Sequence, residues 1–215
     1  MSISVQKDLT ALFGDARDQG ARPTCLAFAA SDCHASLRGK WAPLSAEWLY
    51  YCAQARGNRS SSEGATLPDI LSAARHDGQP FEAAWPYLVP PVDPWKPPTG
   101  IAPIYRREGQ QGLAVIASVV ASLDADRPLI LLLNLSRSFF TPTADGIVHP
   151  AVGELPDTAL RHAVVATAHG VVDGRPAIFV RNSWGGGWGC DGSAWLTEEF
   201  LSPRLFATAE LLGEV

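Results

Sequence analysis

The sequence predicts an α+β protein whose helices come first and whose strands come later. Three observations carry that prediction. Between Thr24 and Arg38 the residues are mostly small or helix-tolerant, and two further helical stretches follow before Gly78. Prolines crowd residues 86–103, which can form neither regular helix nor central strand. From Leu129 onward, short apolar runs are separated by turn signals such as Asp173-Gly174 and Asp191-Gly192. Helices and strands segregated along a chain argue α+β rather than alternating α/β.

Taken in order, residues 1–18 read as a short lead-in. A first helix is expected over Thr24–Arg38, closed at Gly39, with the Thr24 hydroxyl capping an orphan N–H. Ser45 opens a second helix, because Ser45-Ala46-Glu47-Trp48 is close to a capping box. Leu44, Trp48, Leu49 and Cys52 form its apolar stripe. Residues 58–64 are a polar loop, and Leu67–His76 reads as a third helix closed by Gly78. The proline-rich stretch is the natural crossing between two halves. Residues 112–123 suggest a fourth helix. Strands are expected at 129–135, 163–168, 177–181, 193–197 and 207–211. No internal repeat or low-complexity segment is present.

Composition bounds the function. At 215 residues the chain holds one large domain or two halves around a shared cleft. Its hydrophobic fraction of 47% and charged fraction of 18% suit a packed core. A net charge of -5 offers no basic face for nucleic acid. The longest apolar run, Pro128 to Leu135, is strand length and far short of the roughly 20 residues of a membrane span. Residues 1–10 lack a basic segment followed by an apolar one, so no secretory signal is read and a cytoplasmic location is expected. The four cysteines, Cys25, Cys33, Cys52 and Cys190, contain no C-x-x-C pair. That argues against structural zinc and against a disulfide scaffold, and leaves reduced thiols as the expectation.

Three segments carry chemistry. The first runs Asp18-Gln19-Gly20-Ala21-Arg22-Pro23-Thr24-Cys25 and places a thiol in the first turn of a predicted helix. A helix N-terminus favours the thiolate, which is the nucleophilic form. The second, Arg161-His162-Ala163-Val164-Val165, puts a histidine at the head of an apolar run, and the third is Arg181-Asn182-Ser183-Trp184-Gly185. A buried structural thiol and a turn asparagine are the bland alternatives for Cys25 and Asn182 taken singly. The glycines around Trp184 and Trp188 fit neither phosphate-binding spacing. Neither G-x-S-x-G nor H-E-x-x-H occurs, so a serine-hydrolase elbow and a zinc-peptidase helix are absent from the sequence.

The order Gln19, Cys25, His162, Asn182, with Trp184 two residues after the asparagine, resembles the papain (C1) family of cysteine peptidases. The likeness spans nearly the whole chain. It is fullest to compact bacterial members without a pro-segment, which share Asp-Gln-Gly before the cysteine and Val-Arg-Asn-Ser-Trp-Gly after the histidine. The resemblance implies a single two-lobed domain over 1–215. Its helical left lobe would cover 19–103, its strand-rich, barrel-like right lobe 1–18 plus 104–215, and its active site the cleft between. By resemblance Cys25 is the nucleophile and His162 the general acid and base. Asn182 orients the imidazole, Gln19 supplies an oxyanion donor with the Cys25 backbone N–H, and Trp184 shields the His–Asn bond. Substrate contacts are expected from Arg161, Ala163, Trp188, Leu205 and Ala207, and the apolar ones suggest a hydrophobic side chain two residues before the cut.

Departures from the family are also legible. Arg22 or Pro23 stands where relatives carry a disulfide cysteine. Residues 60–64 replace a Gly-Cys-x-Gly-Gly stretch, and Leu26 replaces a tryptophan. Arg161 puts a cation before the histidine, so a weakened thiolate–imidazolium pair is expected. The resulting expectation is a cysteine endopeptidase acting on peptide or protein substrates, with no metal or organic cofactor. Without a pro-segment, restraint would fall to a regulatory protein partner, a narrow cleft or demanding specificity. An acyl-transferase, transpeptidase or cyclase using the same residues is the alternative, as is a degenerate peptidase fold used as a binding module.

Overall fold

The computed structural model describes residues 2–88 and 90–215. Met1, at the head of the lead-in, and Val89, inside the proline-rich segment, lie outside them. The elements run β1 (Ile3–Asp8), α1 (Cys25–Ser36), α2 (Ala46–Arg56), α3 (Leu67–His76), β2 (Arg107–Gly112), α4 (Ile116–Asp124), β3 (Leu129–Asn134), β4 (Ile147–Val148), β5 (Arg161–Val172), β6 (Arg175–Arg181), β7 (Ser193–Thr197), α5 (Glu198–Leu201) and β8 (Leu205–Glu214). This is an α+β fold. The chain divides into a strand-rich unit, Met1–Asp18 with Gln111–Glu210, and a helical unit, Gln19–Gln110 with Leu211–Val215. The last residues therefore group with the helices, whereas the sequence reading put them with the strands.

In the helical unit, three helices bury alanine-rich faces. α1 is buried from Leu26 to Ser36, and Ser31 Oγ donates to Leu44 O at 2.8 Å. α2 starts as expected, because the Ser45 hydroxyl accepts from Trp48 N. Its buried face is Ala46, Leu49, Tyr50 and Ala53, so the apolar stripe lies one step round from the one expected, and Trp48 and Cys52 are half-buried. α3 has the bounds read from the sequence, with Thr66 as N-cap and Pro68 in the first turn. Gly78 ends it at φ +69, where a Cβ would come within 2.5 Å of Tyr105 O. Thr24 departs from expectation. It precedes α1 but makes no side-chain cap, because its hydroxyl is hydrogen-bonded to the Tyr87 hydroxyl at 2.8 Å.

Within this unit, the segment 211–215 is fastened by Arg107. Its guanidinium donates to Leu212 O at 2.5 Å and to Leu37 O at 3.4 Å, the latter at the C-terminal end of α1. A cation at that helix end is the favourable polarity.

In the strand-rich unit the sheet order is β8-β3-β5-β6-β7-β4, with β2 next to β8 and β1 paired to β5. Neighbours β3, β5, β6, β7 and β8 pair antiparallel, and β4 pairs parallel to β7. Alternation sorts the side chains of β3. Leu129, Leu131 and Leu133 enter the core with Val164, Ala166, Val180, Leu196 and Phe200, while Leu132 faces the opposite side. The lead-in is not irregular: Ile3–Asp8 is a strand that pairs with Val172–Ala168. The fourth helix begins at Ile116 rather than Gly112, because Arg107–Gly112 is taken up by β2.

Candidate active site

Each unit holds its own part of the expected residue set. In the helical unit, Cys25 is the first residue of α1 and is partly exposed. Gln19, on the loop before it, is buried, and its side-chain amide Nε2 donates to Arg22 O at 2.8 Å. The Thr24 N–H donates to the same carbonyl at 2.8 Å. One backbone oxygen thus ties the Gln19 carboxamide to the residue preceding the thiol.

In the strand-rich unit, β5 and β6 bring His162, Asn182 and Trp184 together. His162 Nε2 and Asn182 Oδ1 are 2.7 Å apart. The Asn182 Oδ1 also accepts the Ser183 N–H at 2.8 Å, and the Asn182 backbone N–H donates to Gly192 O at 2.9 Å, so the oxygen is held in place while the amide Nδ2 has no partner among the described residues. An amide oxygen only accepts, which sets Nε2 as the protonated imidazole nitrogen and leaves Nδ1 as the basic one. The Trp184 ring centroid lies 4.7 Å from that of the imidazole, and the Phe140 ring stacks on Trp184 at 5.3 Å. Phe139 adds an edge contact to His162 at 5.7 Å. Burial drives the imidazole pKa down to about 4, against the opposing effect of the Asn182 hydrogen bond.

The cause expected from sequence for a perturbed imidazole was Arg161, and the structure replaces it. Arg161 is exposed, donates from Nε to Thr158 O at 3.3 Å and lies with its guanidinium 5.7 Å from the Phe206 ring. Burial alone accounts for the downward shift.

Two of the expected substrate contacts fall elsewhere. Trp188 is buried in the core, and its indole N–H donates to Phe139 O at 3.0 Å, so it serves packing beneath Trp184. Leu205 also enters the core. A bulge follows it: Leu133 pairs with Leu205 but Leu132 pairs with Ala207, which leaves Phe206 as the extra, exposed residue. Ala163 and Ala207 both pair with Leu132, so Ala163, Leu132 and Ala207 form one row on the face opposite the core. Leu132 was missed in sequence because a continuous Leu-Ile-Leu-Leu-Leu run hides which residues face which side. Phe139 and Phe140 were missed because they sit in a 3-10 turn, Arg137–Phe140, with no periodic signal.

The turn leading into β5 is held by buried polar groups. Arg204, fully buried, donates to Ser136 Oγ at 2.9 Å, Phe200 O at 2.8 Å and Glu154 O at 3.2 Å. Burial by itself would raise the Glu154 carboxyl, but hydrogen bonds from Ser138 and Ala151 hold it down to about 2. The other thiols, Cys33, Cys52 and Cys190, are unbonded to one another, and burial pushes the Cys52 thiol up to about 12. Among the described residues no cluster of His, Cys, Asp or Glu would hold a metal ion, and no helix is long and apolar enough to cross a membrane.

The family model described as papain family cysteine protease matches residues 5–200. Cysteine proteinase 3 of Solanum lycopersicum is 27% identical over 189 residues, covering 81% of this chain and 50% of that protein. The oryzain gamma chain of Oryza sativa subsp. japonica is 27% identical over 192 residues, covering 82% of this chain and 49% of its own length. The chain thus spans about half the length of these curated relatives. Among solved structures, xylellain, a cysteine protease from Xylella fastidiosa, superposes with a TM-score of 0.76 at 22% identity, over 98% of this chain and 86% of that one. A structure from work on the mite allergens Blo t 1 and Der p 1 gives 0.81 at 22% identity, over 99% and 72%.

Proposed function

Because this chain belongs to the papain family of cysteine proteases, we propose that it is a cysteine endopeptidase in which Cys25 and His162 act on one peptide carbonyl. The observation that carries this reading is the His162–Asn182 hydrogen bond of 2.7 Å, which leaves Nδ1 as the proton acceptor. Burial keeps the imidazole neutral near pH 7, the form that can accept the Cys25 thiol proton. The Cys25 sulfur then adds to the carbonyl carbon, and the oxyanion would take hydrogen bonds from the Gln19 carboxamide and the Cys25 backbone N–H. His162 returns the proton to the departing amine as the C–N bond breaks. A water attacks the acyl-enzyme, gives its proton to His162 and releases the acid, and the thiol is restored. The apolar row of Ala163, Leu132 and Ala207 supports a preference for a hydrophobic side chain near the cut.

The test is a library of unstructured peptides incubated with the wild-type chain and with Cys25→Ala, His162→Ala and Gln19→Ala, followed by mass spectrometry. Hydrolysis appears as fragments whose summed mass exceeds the substrate by one water, and the cysteine and histidine variants should lose it. Products joined to an added amine, with no water gained, would make the chain an acyl-transferase instead. Site-resolved iodoacetamide alkylation against pH provides a second readout. Loss of the wild-type Cys25 profile in His162→Ala is expected, and an identical profile in both proteins would sink the pairing.

A further inference from the structure

Arg22 attracts notice first as a buried cation. Its Nη1 and Nη2 donate to the two carboxylate oxygens of Glu47 at 2.5 and 2.8 Å, and the two side chains are only 8% and 2% exposed. Nη1 also donates to Leu88 O at 3.0 Å, and Trp95 Nε1 donates to Glu47 Oε1 at 2.6 Å. The guanidinium lies 4.7 Å from the Tyr87 ring centroid and 5.6 Å from that of Tyr50. The Glu47 end is rigid because it sits in the first turn of α2, beside the Ser45 cap.

What this cluster holds is the segment that carries Gln19 and Cys25. The Arg22 carbonyl accepts from Gln19 Nε2 and from Thr24 N. Tyr87, stacked under the guanidinium, donates its hydroxyl hydrogen to Gln19 O at 2.7 Å. Its oxygen is then the acceptor for the Thr24 hydroxyl at 2.8 Å. Gln19 is therefore gripped at its side chain by Arg22 and at its backbone by Tyr87, and Thr24 is gripped by the same two residues.

We propose that the Arg22–Glu47 ion pair and the Tyr87 hydroxyl are a positioning device that sets the Gln19 carboxamide and the start of α1 for catalysis. This rests on the roles given above to Gln19 and Cys25. The energetics favour positioning over stability. A buried ion pair commonly contributes little net stability compared with apolar residues of similar volume, since desolvation offsets the attraction. A two-point carboxylate–guanidinium contact nevertheless fixes direction as well as distance. The pair would then be retained for geometry, with an error of about 1 Å at the oxyanion donor costing turnover about 100-fold.

The experiment compares wild type with the double variant Arg22→Met/Glu47→Leu and with Tyr87→Phe. The double variant leaves no unpaired buried charge, and the tyrosine variant removes one hydroxyl. The readouts are kcat and KM on a cleaved peptide, normalised to alkylatable Cys25; the thermal midpoint; and amide exchange across residues 19–28. The expected result is a kcat loss of about 10- to 100-fold, with KM within threefold, an unchanged thermal midpoint and faster exchange confined to 19–28. A kcat within twofold of wild type in both variants, or a loss matched by a lowered thermal midpoint, would overturn the proposal. If the double variant does not fold, Tyr87→Phe alone decides. Should wild type cleave no peptide, the endopeptidase reading fails. The exchange of residues 19–28 then still decides this inference, and unchanged exchange would refute it.

Discussion

Acid should destabilise the helical unit through His34. This side chain is completely buried in α1, its Nδ1 lies 3.0 Å from Gln79 Oε1, and its Nε2 has no hydrogen-bond partner. Burial is the largest influence on it, the Gln79 contact opposes, and the nearby Arg107 and Arg38 cations add to the depression, so its pKa falls from 6.5 to about 4. In the unfolded chain the same imidazole takes up a proton near 6.5. The unfolded state therefore binds more protons than the native state between those values. His34 contributes its full stability above about pH 6.5 and loses it progressively as the pH falls toward 4. Integrating that linkage gives a loss of about 2.5 kcal/mol between roughly pH 7.5 and 4.5. The assay is urea unfolding at both pH values for wild type and His34→Asn, whose amide N–H can still donate to Gln79 but does not titrate. The variant should show a pH-dependent loss smaller by about that amount. Equal losses in the two proteins would mean that His34 is not kept neutral by its surroundings, and the argument from burial would fail.

Other expectations follow from single features. Asn182→Ala should reduce kcat/KM by about 100-fold with little change in alkylation of denatured protein, because the imidazole loses the acceptor that fixes its tautomer. The acidic limb of the pH–rate profile should centre near 4, the value to which burial depresses His162; a limb at an ordinary histidine value would show that burial does not control the base. Gly78→Ala should lower stability by about 2 kcal/mol or more by chemical denaturation, since φ is +69 and the new methyl would meet Tyr105 O at 2.5 Å. Cys52, with its thiol pushed up to about 12, should resist iodoacetamide at pH 8 while exposed Cys190 reacts.

The elements most legible in the sequence were those whose own residues dictate their ends. The third helix has a threonine cap, a proline in its first turn and a glycine at positive φ after its last turn, and its bounds match the reading. β7 likewise spans Ser193–Thr197, as expected from its flanking turns. What escaped was set by partners distant in the chain. β1 is almost wholly exposed on its side chains, and its apolar alternation stops after Ile3 and Val5; the ladder to β5 makes it a strand. β2, Arg-Glu-Gly-Gln-Gln-Gly, has no strand propensity at all. Within the candidate site, Cys25, Gln19, His162 and Asn182 were singled out in the sequence because their types and order resemble those of the papain family. The Arg22–Glu47 pair was not. Arg22 registered only as a departure from related sequences, and nothing local announces that its partner lies 25 residues away, on α2. The same limit hid Tyr87, which takes the Thr24 hydroxyl away from the cap it was expected to form.

The pairing of β1 with β5 also bears on how the protein comes into being. The Ser2 N–H is bonded to Asp173, 171 residues away, and Ile3 faces Val172. During synthesis the first strand leaves the ribosome long before the strand that will bind it exists. Leu211–Val215, which belong to the helical unit, emerge long after its main segment, Gln19–Gln110. Neither unit is complete until its late segment has emerged, since each is built from early and late segments. At a synthesis rate of about 5–20 residues per second, the nascent chain waits for about 10–35 s with an unpaired edge and an open helical cluster. Chains stopped short of β5 should therefore leave β1 unpaired and be prone to association, and the helical unit would be completed only once Leu211–Val215 have emerged.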